Sequence, residues 1–119
     1  MANLDEILEA VMKNAALVNK MWNDGVDLLQ STVSERWNLL HMSLMLPRRH
    51  PDPDSIRILI EAGVDVNAID AYGNMPIYYA VRQKNQRVVR ILLDAGAEVN
   101  HVNKEGVSPL RQALATADV

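Results

Sequence analysis

Leu4, Ile7, Leu8 and Val11 recur at helical spacing behind Asn3, with Asp5 and Glu6 in what would be the first turn. This predicts an amphipathic helix opened by an asparagine cap and an acidic turn. Leu17, Val18, Met21 and Trp22 predict a second helix from about residue 15 to residue 23, closing at Asp24-Gly25-Val26-Asp27. Glycine suits that stop, because it enters the left-handed region without a Cβ penalty. Two further stripes follow, Ile56, Leu59 and Ile60 and then Val88, Val89, Leu92 and Leu93, each running into an Ala-Gly pair. Upstream of the first of these lies Pro47-Arg-Arg-His-Pro-Asp-Pro-Asp54. Three prolines cannot share a helix interior, so the segment reads as a loop, with Asp52 or Asp54 able to cap the helix that follows.

The stripes belong to a repeat. Ser55-Ile-Arg-Ile-Leu-Ile-Glu-Ala-Gly-Val-Asp-Val-Asn67 returns 33 residues later as Val88-Val-Arg-Ile-Leu-Leu-Asp-Ala-Gly-Ala-Glu-Val-Asn100. Gly73-Asn-Met-Pro-Ile-Tyr-Tyr-Ala80 and Gly106-Val-Ser-Pro-Leu-Arg-Gln-Ala113 keep glycine, proline, an aliphatic residue and alanine in the same register. The pattern resembles the ankyrin repeat, in which a turn ending in glycine precedes a Thr-Pro-Leu-His-like helix start and a second helix ends in Leu-Leu-x-x-Gly-Ala-Asp-Val-Asn, every ~33 residues. Leu40-His41 aligns with Ile77-Tyr78 and Leu110-Arg111, and the proline-rich link makes the earlier unit about four residues longer than the later one. No unit keeps both the threonine and the histidine of the signature: Ser108 retains a hydroxyl, His41 the imidazole, and Leu39 stands in place of proline.

The resemblance implies an all-α ankyrin-repeat solenoid of stacked helix–turn–helix units with short turn or hairpin fingers, forming one domain over 1–119. Residues 1–30 read as a degenerate N-terminal capping unit, 36–67 as a repeat with an extended inter-helix loop, 71–103 as a regular repeat and 104–119 as a C-terminal half-repeat cap. Gln112, polar where Tyr79 and Met42 stand in earlier units, suggests that the last helix presents a solvent-facing surface. The family's usual mode is to grip another protein with the concave surface made by fingers and inner helices. Carried over position by position, the partner-binding candidates are Glu35 and Trp37, Met45 on the inner helix of the second unit and Arg82 on that of the third. The turn positions Ala71, Tyr72 and Asn74, then Lys104, Glu105 and Val107, complete the set. Trp37 and Tyr72 stand out because such side chains dominate interface hot spots; for Trp37, folding back over the irregular second unit is the competing expectation. Met45 reads more as core than as contact, and Tyr78 and Tyr79 as structural.

Composition narrows the chemistry. At 119 residues with 49% hydrophobic content there is room for one modest core. No cysteine is present, so neither disulfides nor thiolate chemistry arise, and a cytoplasmic setting is the simplest expectation. The acidic N-terminus is unlike a signal peptide, and no apolar run approaches the roughly 20 residues that span a bilayer, so no membrane role is expected. His41 sits at the signature position, where the ring serves structure. His50 and His101 lack the spacing of a helical zinc pair, and Asp52 and Asp54 read as helix-capping acids. No cofactor, metal or catalytic residue is expected, and the chain reads as a non-enzyme.

A net charge of −3 weighs against nucleic-acid binding and suits a basic protein partner. The expected function is a protein–protein interaction module, a monomer when free, that masks or inhibits its partner; a toxin-neutralising immunity protein is one specific form. Nucleic-acid or anionic-surface binding through an arginine ridge of Arg57, Arg87 and Arg90, and a structural scaffold or homo-oligomer, stay open as alternatives. Against the ridge, Arg57 and Arg90 precede Glu61 and Asp94 by one turn, spacing that suits intrahelical ion pairs.

Overall fold

The structure, a computed structural model, describes residues 2–46 and 48–117. Among these are seven α-helices: α1 (Leu4–Lys13), α2 (Ala15–Asn23), α3 (Leu39–Leu44), α4 (Pro53–Glu61), α5 (Pro76–Arg82), α6 (Gln86–Asp94) and α7 (Pro109–Ala117). They form two rows. α1, α3, α5 and α7 pack in sequence along one layer, and α2, α4 and α6 along the other, so that each of the first three pairs stacks on its neighbour. The body is elongated, 41 × 26 × 24 Å, as expected when units touch only adjacent units.

Local chemistry sets the helix ends. Asn3 Oδ1 accepts the Glu6 amide at 2.9 Å and opens α1. Asn14 ends α1 and caps α2, accepting from Ala16 and Leu17. Asp52 is the cap of α4, with Pro53 in the first turn, where a missing amide proton costs nothing. The proline-rich segment is therefore loop only as far as Asp52, and Pro53 and Asp54 are helical; Pro47 lies outside the described residues. The loop is tied down on both sides. Asp52 Oδ2 accepts the Ala15 amide at 3.1 Å, and Gln83 Nε2 donates to the carbonyls of Leu46 and Arg49 at 2.9 and 3.0 Å.

One continuous core runs the length of the stack, from Ile7 and Val11 through Leu39, Leu40 and Leu44 to Ile56, Leu59, Ile77, Tyr78, Val88 and Leu92. Two expectations need correction. Arg57 pairs with Asp54 at 2.8 Å rather than with Glu61, and Arg90 makes no ion pair with Asp94 among the described residues. On α7, Gln112 is half-buried and accepts from Arg82 Nε at 3.2 Å, while Leu110 and Leu114 are exposed, so that helix does not offer the polar face that Gln112 suggested. Asp118 and Val119, the end of the expected cap, lie outside the described residues.

Candidate functional site

Two turns ahead of α5 and α7 are built alike. Asp70 Oδ1 accepts the amides of Tyr72 and Asn74, both at 2.9 Å, while Gly73 N donates to Asp70 O and Asp70 N to Asn74 O. One repeat on, Asn103 Oδ1 accepts from Glu105 and Val107 at 3.0 Å, Gly106 N donates to Asn103 O, and Asn103 N to Val107 O. A short polar side chain two residues ahead of the turn amides closes the loop locally, which gives a rigid finger. The finger ahead of α3 is looser, closed by Thr32 N to Trp37 O at 2.9 Å and Trp37 N to Thr32 Oγ1 at 3.0 Å.

Lateral bonds join the fingers in a row. Ala71 N donates to Glu35 O at 2.8 Å, Lys104 Nζ to Ala71 O at 2.7 Å, and Asn103 Nδ2 to Asn74 Oδ1 at 2.9 Å. Beneath them each inner helix reaches forward to the next finger. The His41 ring accepts the Asn38 amide at Nδ1 (3.1 Å) and meets Asn74 O at Nε2 (3.0 Å). A backbone donor on one nitrogen and a carbonyl on the other fix the neutral Nε2–H tautomer. Burial holds the His41 pKa below the usual histidine value, against the opposing pull of the Asn74 carbonyl and of Asp70. At the equivalent place in the next unit stands Tyr78, whose hydroxyl lies 2.9 Å from the carbonyls of His101 and Val107 and 3.0 Å from His101 Nδ1. Histidine and tyrosine thus perform one structural task in successive repeats.

Asp70 is where the exposed part of the surface is organised. Its side chain is buried, and its second oxygen accepts Trp37 Nε1 at 3.0 Å and the Tyr79 hydroxyl. Burial first, and the Asp70 carboxylate second, raise the Tyr79 pKa, so the phenol remains a donor. With its indole N–H fixed, Trp37 stacks on Tyr72, ring centroids 6.2 Å apart and planes 28° apart. Tyr72 is 56% exposed and forms the outer edge of this ridge. Arg82 lies over the Tyr79 ring, 5.4 Å from its centroid, and bridges to Gln112 on α7. The resulting strip combines a stacked aromatic pair, a guanidinium on a tyrosine face and the exposed Lys104 and Glu105.

The sequence-derived candidates divide accordingly. Tyr72, Arg82, Lys104 and Glu105 are exposed on this strip, and Trp37 is half-buried within it, held by packing and by Asp70. Glu35, Ala71 and Val107 are half-buried, and each contributes a backbone carbonyl to the finger bonds. Met45 is half-buried at the end of α3, outside the continuous core. Asn74 is a correction: expected as an exposed turn residue, it is buried, because its amide, side-chain oxygen and carbonyl are taken by Asp70, Asn103 and His41. Asp70 was not among the candidates, yet it fixes the Trp37 indole, and Tyr79, expected to be structural, donates its hydroxyl to the same carboxylate. The Asp70-x-x-Gly73 and Asn103-x-x-Gly106 spacing, repeated at the same displacement, was the available signal.

Among the described residues no group of three or more acidic, histidine or cysteine side chains is placed to hold a metal, and no helix is long and apolar enough to cross a membrane. A comparison with protein-family models matches ankyrin repeats, three copies, over residues 7–115. Paired helices in two rows, glycine-ended fingers and a match across nearly the whole chain leave one assignment: this protein belongs to the ankyrin-repeat family.

Proposed function

We propose that this protein binds another protein through the strip of Trp37, Tyr72, Tyr79, Arg82, Lys104 and Glu105, and that binding masks an active or docking surface of that partner. Ankyrin repeats mediate protein–protein interaction, and the observation that carries the site is the Trp37–Tyr72 stack locked by Asp70. A pre-ordered aromatic pair offers large apolar area with little side-chain entropy left to lose. The finer form of the reading is an inhibitor, of which a toxin-neutralising immunity protein is one kind. The net charge of −3 supports a basic partner. In this reading 1–30 covers the N-terminal end of a single domain that acts as a cytoplasmic monomer without catalysis.

A second reading, anion binding along Arg57, Arg87 and Arg90, has one observation in its favour: the three line a common groove between α4 and α6. Glu61 and Asp94 line the same groove and reduce its potential, which favours the protein partner.

The test is affinity capture from native lysate followed by titration of the purified partner. Tyr72→Ala leaves the Asp70 bonds intact and is expected to weaken binding by about 2 kcal/mol, roughly 30-fold. Unchanged affinity in Tyr72→Ala and in Tyr72→Ala/Lys104→Ala, both with wild-type helicity, would remove this strip as the contact. Recovery of nucleic acid in place of protein would favour the arginine groove.

A further inference from the structure

Positions 33 residues apart occupy equivalent places in successive units, so unequal burial shows which apolar positions the described residues leave uncovered. Ile77 on α5 is 2% exposed, whereas its equivalent Leu110 on α7 is 65% exposed. Val66 is 9% exposed and its equivalent Val99 47%. Ile56 is fully buried on α4, which carries α6 against it; the equivalent Val89 on α6 is only half-buried, and Leu93 beside it is exposed.

These open positions face one groove between α6 and α7, lined by Val81, Val89, Leu93, Val99, Leu110 and Ala113. Its lining is almost entirely apolar, and one unit earlier the corresponding space beside α4 and α5 is filled by α6. The groove therefore lies at the place that an outer helix fills one unit earlier.

Its border specifies the charge of the occupant. Lys84 and Arg90 continue the groove at the α6 side and make no ion pair among the described residues; no acidic side chain lines it.

We propose that this end of the stack is a second docking surface, separate from the finger strip, that takes an amphipathic helix of a partner protein with an aliphatic stripe and flanking glutamate or aspartate. The stripe covers Val89, Leu93 and Leu110 as α6 covers α4, and the acidic flank meets Lys84 and Arg90. A second copy of this chain fits less well, because face-to-face docking would bring two basic borders together.

The probe is a stapled, end-capped peptide of residues 84–97 of this chain carrying Arg87→Glu and Arg90→Glu, which puts the α6 stripe on an acidic helix; the same stapled peptide with both arginines kept is the control. In an NMR titration the acidic peptide is expected to shift the resonances of Val89, Leu93, Val99, Leu110 and Ala113. It should bind at least about tenfold more tightly than the control. Leu93→Glu/Leu110→Glu in the protein, at two exposed positions, should abolish binding, and Lys84→Glu/Arg90→Glu should transfer the preference to the basic control. Absence of binding, equal binding of both peptides, or shifts centred on Tyr72 would overturn the proposal. So would self-association of the free protein in sedimentation that Leu110→Glu eliminates, which would name a second copy as the occupant.

Discussion

Gly73→Ala is expected to lower the unfolding free energy by about 3 kcal/mol, and Gly106→Ala, the same change one repeat later, by only about 1 kcal/mol. Both glycines hold positive φ, +83° and +78°, so an added Cβ meets similar backbone strain at each. Their surroundings differ. A Cβ on Gly73 would stand 2.9 Å from the Lys104 backbone nitrogen and 2.7 Å from its Cγ, while one on Gly106 meets nothing within 4 Å. The lysine side chain can swing away, but the nitrogen belongs to the next finger and moves only with it. That movement stretches Lys104 Nζ to Ala71 O and Asn103 Nδ2 to Asn74 Oδ1, the bonds that set finger spacing. Because each unit is held mainly by its neighbours, loss of hydrogen-exchange protection in Gly73→Ala should concentrate in residues 103–117. Urea denaturation of the two variants checks the difference; equal costs would show that the spacing between fingers is soft.

The same dependence on neighbours explains which features could be read along the chain. The 33-residue displacement, the helix pairs and the caps at Asn3 and Asp52 are local or periodic, and periodicity survives in a linear string. The fate of Trp37 is not local, since its indole is fixed by an aspartate in the following unit. Asn74 looked exposed because it occupies a turn, yet the partner that buries it, Asn103, lies one repeat ahead. Arg57 had acids at both permitted spacings, and the cap of α4 brought Asp54 rather than Glu61 within reach. At the open end the sequence shows only the polar Gln112, while what decides exposure of Leu110 and Leu114 is the helix that does not pack there among the described residues. Local chemistry is legible in one unit; side-chain roles at the site require two.

His41→Ala is expected to cost about 3–4 kcal/mol, combining a cavity in the core with two unmatched backbone groups, Asn38 N–H and Asn74 O. The wild-type protein should show the same bond as a dependence on pH. Protonation would put a second N–H on the ring, facing the Asn38 N–H that Nδ1 now accepts, so the folded state disfavours the cation. Burial is the main cause of the lowered pKa, and the nearby Asp65 and Asp70 only partly oppose it. The unfolded chain titrates near 6.5 and therefore binds more protons than the folded one below that pH. The contribution is fully present above 6.5 and is lost as pH falls through the lower folded value. Thermal midpoints measured between pH 7.5 and 5 should therefore decline in the wild type and in the exposed control His50→Ala, but much less in His41→Ala. Glu9, whose carboxyl Arg49 and Lys13 hold below the usual glutamate range, loses its pairing at lower pH and does not confuse the interval. An equally steep decline in His41→Ala would place the acid sensitivity in another group and show that the ring tolerates its second proton.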